Sequence, residues 1–251
     1  MDFLICARMG STRLPGKALI PLLDKKHSLD ILIEKFKIID PDSRIILATT
    51  KLSKDDLLED WALKNQVKIF RGSEKDVLGR LNNAVNYFNC ENIIEILGDN
   101  PLVPIELIKK CISIYKYQNG DSKYLASSTS EYKFANLRKI YPIGIRVQIF
   151  NKKFINLIEK KALGESYREH STSYIYDKPS LCDVKLVETD QYYSENIGKF
   201  NFAINTIDQL NNAKDVLKKY GTNCRVEELV EWVNLNAVSY THLRAHETSR
   251  N

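Results

Sequence analysis

The sequence is poor in several features that would settle its class at once. Its 251 residues hold only seven prolines, ten glycines, two tryptophans and two methionines. That scarcity of proline and glycine excludes collagen-like and low-complexity architectures. No apolar run approaches the ~18 residues that a membrane-spanning helix needs. The opening Met1-Asp2-Phe3-Leu4-Ile5-Cys6-Ala7-Arg8 lacks a basic region followed by a long apolar stretch, so no signal peptide is expected. Five cysteines, at 6, 90, 111, 182 and 224, form neither a CxxC pair nor a metal-ligand spacing. An odd, scattered set of this kind suggests reduced thiols and a cytoplasmic protein. Neither sign of charge dominates: 37 Lys+Arg face 32 Asp+Glu, for a net +5. The excess is too small to imply nucleic acid and suits a small anionic substrate equally well.

What is present is an alternation. Short apolar runs at Phe3–Ala7, Arg44–Thr49, Gln66–Phe70, Asn92–Leu97, Tyr124–Ser127, Gly144–Phe150, Val184–Val187 and Asn201–Ile204 read as strands. Between them lie helical spacings over Leu29–Ile39, Pro104–Tyr117, Lys152–Leu163 and Thr206–Tyr220. Ser53 with Asp56, and Ser73 with Asp76, read as two further helix starts. Alternation of this kind predicts an α/β fold with a mostly parallel central sheet. One domain is expected over 1–236, with the less regular 132–183 a candidate inserted or dimer-forming portion. From Ala237 the helical periodicity stops, and Val238–Thr248 (VSYTHLRAHET) resembles a translated sequencing adapter, so 237–251 is expected to lie outside the fold. The alternative for this tail is a metal-binding arm, since His242 and His246 have the i,i+4 spacing of one helical face.

The first strand runs straight into Arg8-Met9-Gly10-Ser11-Thr12-Arg13-Leu14-Pro15-Gly16-Lys17. In α/β sheets ligands sit beyond the carboxyl ends of strands, where this loop must lie. Gly10 and Gly16 allow close backbone approach, Ser11 and Thr12 add donors, and Pro15 stiffens the turn that presents Lys17. Arg8, Arg13 and Lys17 concentrate positive charge. The combination suits a polyphosphate, or else a solvated basic turn, and is neither a P-loop nor GxGxxG. Asp99 closes the strand ending Leu97-Gly98 and precedes Asn100-Pro101. A carboxylate there serves either as a magnesium ligand or as an Asx-turn residue.

ARMGSTRLPGKAL resembles the signature of the cytidylyltransferase family that makes CMP-activated sugar acids, closest to its spore coat polysaccharide branch. Ala48-Thr49-Thr50, Arg71–Arg80, Leu97–Pro101, Tyr141–Gly144 and Arg168–Ile175 agree in order, extending the resemblance to about residue 220. It implies a Rossmann-like, GT-A-like nucleotidyltransferase fold, usually dimeric and dependent on Mg²⁺. The implied partners are CTP and an acidic sugar, whose hydroxyl attacks the α-phosphorus and releases pyrophosphate. By resemblance Arg8, Gly10, Ser11, Arg13 and Lys17 hold the triphosphate, with Arg13 and Lys17 stabilising the leaving group. Arg71, Ser73 and Arg80 are further nucleotide-binding candidates. Asp99 and Asn205 are the metal candidates, and Arg146, Arg168 and His170 the candidates for the sugar. His170 reads first as an ordinary surface or hydrogen-bonded histidine, with a general base as the alternative.

The sequence departs from the family in two places. Where Gly-Leu-Asp-Val-Glu is usual, it has Gly144-Ile145-Arg146-Val147-Gln148, and where Asp-Thr-x-x-Asp is usual, Asn205-Thr206-Ile207-Asp208. Asn205 keeps an oxygen for a metal but loses its charge, while Arg146 suits a carboxylate or phosphate. Two alternatives therefore stand beside the transferase: a GT-A-like glycosyltransferase, against which a single acid in Gly98-Asp99-Asn100-Pro101 counts, and a nucleotide-binding homologue without turnover.

Overall fold

In β1 (Asp2–Cys6) successive side chains point to opposite faces, so Phe3 and Ile5 join one buried cluster and Leu4 another. The same division holds in β2 (Ile45–Thr50) and β4 (Asn92–Leu97), where Leu47, Ile94 and Ile96 face one side and Ile46, Ala48 and Ile93 the other. A sheet apolar on both faces must be covered twice, and helices do this. The first cluster is closed by α1 (Ser28–Ile39), α2 (Asp56–Lys64), α4 (Ile105–Lys116), α9 (Ile207–Tyr220) and α10 (Val226–Glu247). The second is closed by α3 (Val77–Tyr87) and α5 (Lys152–Lys161). The structure, a computed structural model, describes residues 1–131 and 139–247, with side chains through 236. Among these no helix is long and apolar enough to cross a membrane.

The remaining strands are β3 (Lys68–Gly72), β5 (Lys123–Ser127), β6 (Gln148–Asn151) and β7 (Asp183–Val187). Their order across the sheet is β3-β2-β1-β4-β6-β5-β7. Every pairing is parallel except the two made by β6, which runs antiparallel to β4 and β5. The expected mostly parallel α/β sheet is therefore present. Residues 148–151, from the stretch read as an inserted or dimer-forming portion, supply an internal strand of this sheet, while 132–138 lie outside the described residues. Short helices α6 (Glu165–Glu169), α7 (Tyr174–Asp177) and α8 (Gln191–Ile197) complete the chain. Helix α10 continues to Glu247; the side chains of the tail, His242 and His246 included, lie outside those described.

Two expected strands differ from the structure. Asn201–Ile204 forms only an isolated bridge between Asn201 and Ile143. Its backbone is spent elsewhere: Phe202 N–H donates to Ile143 O (2.7 Å) and Ile204 N–H to Asp99 O (2.9 Å). The strand read over Gly144–Phe150 begins only at Gln148, because Gly144 has φ 91°. A side chain there would meet the backbone of Ala203 at 2.2 Å, so the turn requires glycine. Ser53 is likewise not an N-cap: Ser53–Asp55 is a 3₁₀ turn, and α2 starts at Asp56. At Ser73 and Asp76 the capping residue is Asp76, whose Oδ1 accepts from Gly79 N–H at 2.8 Å. Ser73 Oγ accepts from Asp76 N–H.

Candidate active site

The chain order reverses at β1. The connections from β1 through β3 proceed outward on one side, and the chain then returns to place β4 on the other. Ligands of α/β sheets bind where such a reversal opens a crevice at the carboxyl ends of the strands. A cleft of about 420 Å³ lies at this place, with Cys6 and Ala7 from the end of β1 and Leu97 and Gly98 from the end of β4 in its lining. Gly98 is needed there, because a Cβ would press on Ala7 Cβ at 2.8 Å and Cys6 O at 3.2 Å.

Over the cleft sits the loop after β1, and it is built rather than slack. Gly16 N–H donates to Met9 O (2.9 Å), Lys17 N–H to Leu14 O (3.3 Å) and Leu14 N–H to Ser11 Oγ (3.3 Å). Gly16 takes φ 73°, the left-handed conformation that suits glycine, and so turns Lys17 inward. The base of the loop is anchored by Asp55, which is fully buried. Its Oδ1 accepts from Met9 N–H at 2.7 Å, and its Oδ2 from Thr50 N–H and the hydroxyls of Thr49 and Thr50. Sequence reasoning missed Asp55, whose signal is an acid a few residues beyond the strand-ending Thr49-Thr50.

Arg8, Ser11, Thr12, Arg13 and Lys17 all line the cleft. Arg13 is exposed, and among the described residues it has no recorded partner. Arg8 makes one long contact, 3.7 Å to Glu74. Gly10 lies against the Lys54–Glu74 pair, where a Cβ would come 2.3 Å from Lys54 Nζ. Lys17, Asp99 and Asn205 come together. Nζ of Lys17 donates to Asp99 Oδ2 at 2.6 Å and to Asn205 Oδ1 at 2.8 Å. The backbone bond from Ile204 to Asp99 sets this register and brings the next residue, Asn205, beside the carboxylate.

The Asp99 carboxylate and the Asn205 amide oxygen are the pair that could receive a cation such as Mg²⁺. A carboxylate and an amide carbonyl are hard oxygen ligands, and an ammonium already sits between them, so the seat fits a cation. Among the described residues no cluster of three or more His, Cys, Asp or Glu converges to hold a metal. The protein's two oxygens would therefore have to be supplemented by a ligand's own.

Arg80 also lines the cleft and is 3% exposed. One terminal nitrogen donates to Ser73 O, the other to the weak acceptor Cys6 Sγ at 3.2 Å, and Nε–H has no partner among the described residues. A buried guanidinium so incompletely satisfied suits a site that receives an anion. Behind it Glu95 is buried and accepts from Gln148 Nε2 at 2.9 Å and from Ser171 Oγ at 3.5 Å. Burial pushes its carboxyl up to about 7, against the pull of Arg146, Ser171 and Arg80. Burial also raises the Cys6 thiol.

The other candidates lie apart from the lining. Arg71 is bound by Asp56 (2.7 Å), Glu59 (2.5 Å) and the carbonyls of Thr50 and Leu52. Ser73 is engaged at the start of α3. Arg146 donates to Glu131 (3.0 Å) and Tyr176 OH (3.2 Å). Arg168 joins Asp76 (2.5 Å) and Glu159 (3.1 Å), tying α6 to the start of α3, and these bonds raise its pKa. Burial disfavours the Asp76 carboxylate, but Arg168 and Gly79 N–H hold its pKa below the usual range. Gln148 is central to a buried network, accepting from Tyr124 OH (2.5 Å) and Thr172 Oγ1 (2.6 Å). His170 does line the cleft, beside Glu169, its neighbour in the polar triplet Arg168-Glu169-His170.

Comparison with known proteins places the chain in a family. The chain is 32% identical to the spore coat polysaccharide biosynthesis protein SpsF of Bacillus subtilis (strain 168), an alignment covering 97% of this chain and 98% of that one. Its fold is similar to that of a cytidylyltransferase from Leptospira borgpetersenii serovar Hardjo-bovis, with TM-score 0.81, 24% identity and 94% of each chain covered. It also resembles a CMP:2-keto-3-deoxy-manno-octonic acid synthetase solved with CTP, with TM-score 0.61 and 14% identity over 87% of this chain and 98% of that one. The sequence model described as Cytidylyltransferase matches residues 3–237, and the chain belongs to the cytidylyltransferase family of nucleotidyltransferases.

Proposed function

We propose that the enzyme transfers CMP from CTP to a hydroxyl of an acidic sugar and releases pyrophosphate, in the making of a surface polysaccharide or glycan. The observation that carries this reading is the meeting of Lys17, Asp99 and Asn205 beside the exposed Arg13, at the crevice between β1 and β4. Such a displacement needs positioning and charge neutralisation more than a covalent nucleophile. The loop's N–H groups, with Arg8, Gly10 and Ser11, cradle the triphosphate, and Arg80 supplies charge from the cleft floor. Arg13 and Lys17 neutralise the departing pyrophosphate. Asp99 and Asn205 would hold Mg²⁺, which when bound would withdraw charge from phosphate oxygens. Glu169 and His170 face the acceptor, whose carboxylate draws on the arginine-rich surroundings. The protein acts in the cytoplasm, as a homodimer.

The test is pyrophosphate release with CTP, UTP or ATP, Mg²⁺ and a panel of nonulosonic and octulosonic acids. Release that requires CTP and one sugar acid is the expected result. Release with a neutral sugar alone, or sugar transfer from a nucleotide-sugar without pyrophosphate, would replace this reading.

A further inference from the structure

The seat formed by Asp99 and Asn205 is filled by a side chain of the same protein. Nζ of Lys17 lies 2.6 Å from one oxygen and 2.8 Å from the other. Asp99 brings one negative charge, Lys17 one positive charge, and Asn205 none, so the trio is neutral. The Lys17 and Asp99 side chains are only 16% and 19% exposed, which limits screening by water. A dication entering this seat would compete for an oxygen already engaged and would meet an ammonium at close range. It would do so with no net negative charge to draw it. Magnesium binds its oxygens at about 2.0–2.1 Å and gives up water reluctantly, so two protein oxygens offer it little by themselves.

The backbone beneath Lys17 is fixed while its side chain has room to move. Gly16 is bonded to Met9, and Met9 is bonded to the buried Asp55. Lys17 carries its charge on a flexible four-carbon stem. Arg8, Ser11, Thr12 and Arg13 line the same cleft, so an anion held by them stands next to that stem.

We propose that Lys17 is a tethered cation that keeps the metal seat closed in the nucleotide-free enzyme, and that a triphosphate opens it by drawing the ammonium onto its own oxygens. This rests on the reading of Asp99 and Asn205 as metal ligands. Metal and nucleotide then enter together, the nucleotide supplying the oxygens that the protein lacks. The asparagine at 205 acquires a purpose: with aspartate there, the seat would keep a net negative charge even with Lys17 in place, and would load metal without nucleotide.

The test uses Mn²⁺ as the probe, titrated into the full-length chain without nucleotide and followed by the electron paramagnetic resonance of free Mn²⁺. Lys17→Met keeps the stem and removes the charge; Asn205→Asp adds a charge and keeps Lys17. Both are expected to bind Mn²⁺ at least tenfold more tightly than the unaltered protein. The gain in Lys17→Met is expected to vanish in Lys17→Met/Asp99→Asn. Circular dichroism checks folding, and Lys17→Gln replaces Lys17→Met if the latter unfolds. Equal Mn²⁺ binding by Lys17→Met and the unaltered protein overturns the proposal, as does tightening in Asn205→Asp alone, which would show a charge effect without Lys17 as occupant. The underlying metal reading fails separately: Asp99→Asn would then leave uptake of Mn²⁺ in the presence of CTP unchanged.

Discussion

Two groups of cations in this molecule are alike in chemistry and opposite in circumstance. Arg8, Arg13 and Lys17 stand on the loop over the cleft, and the carboxylate nearest Lys17 is itself part of the cleft. Arg71, Arg146 and Arg168 lie outside the lining, and each is already joined to one or two carboxylates. The first group faces the ligand space, Lys17 on an acid that itself lines that space; the second spends its charge holding elements together. Arg71 binds the segment after β2, and Arg168 fastens α6 to the N-terminus of α3. A guanidinium's role thus follows from which acids the fold places beside it. Arg80 stands between the two groups, buried like the second and facing the cleft like the first.

The largest contrast should appear in turnover. Lys17→Ala and Asp99→Ala are each expected to lower kcat for pyrophosphate release by about 10²–10³-fold while the protein stays folded. Arg71→Ala, measured in the same assay, should lose less than about threefold. Equal losses from Arg71→Ala and Lys17→Ala would erase the distinction between the groups.

The next effect is one of pH, and it concerns Glu95, which faces both Arg80 and Arg146. Its carboxyl titrates near 7 when folded against an ordinary 4.5, so the folded protein retains a proton that the unfolded chain releases. This contribution to stability is complete below about 4.5 and is lost as pH rises to about 7. Glu95→Gln should remove that decline, worth on the order of 3 kcal/mol, and flatten the change in Tm across this window. A parallel decline in the variant would show that Glu95 is not its source.

A smaller loss is expected from Arg168→Ala, about 1–2 kcal/mol by denaturant unfolding, because Asp76 and Glu159 lose their shared partner. Its kcat should change less than that of Lys17→Ala. If instead activity collapses with stability intact, Arg168 belongs with the loop cations. The least effect is expected from Arg13→Lys: among the described residues the exposed guanidinium has no protein partner, so stability should shift by less than about 0.5 kcal/mol. The KM for CTP should rise nonetheless, since an ammonium cannot grip phosphate bidentately.

Much of the sheet was legible because its signals are local. β4 runs over Asn92–Leu97 as its apolar run indicates, and β1 is displaced by a single residue. The segments that misled are those whose backbone partners lie far along the chain. Asn201–Ile204 has the composition of a strand, yet its N–H groups bond to Ile143 and Asp99. Within the site, the loop of Arg8–Lys17 could be placed from its glycines and its position after β1. The occupation of Arg71, Arg146 and Arg168 could not, because their acids belong to other elements.

Periodicity, glycine placement and the type of each loop residue are properties of neighbours in the chain, and they were enough to specify an α/β sheet with a glycine- and cation-rich turn after its first strand. The meeting of Lys17 with Asp99 and Asn205 joins residues 82 and 188 positions apart. No local preference encodes such a contact. It arises because packing on both faces of the sheet fixes where β1 and β4 end, and because one backbone bond, from Ile204 to Asp99, aligns a distant segment with them. Charge acts over a few ångströms of space and not along the chain, so only folding decides which cations face the cleft and which are paired away from it.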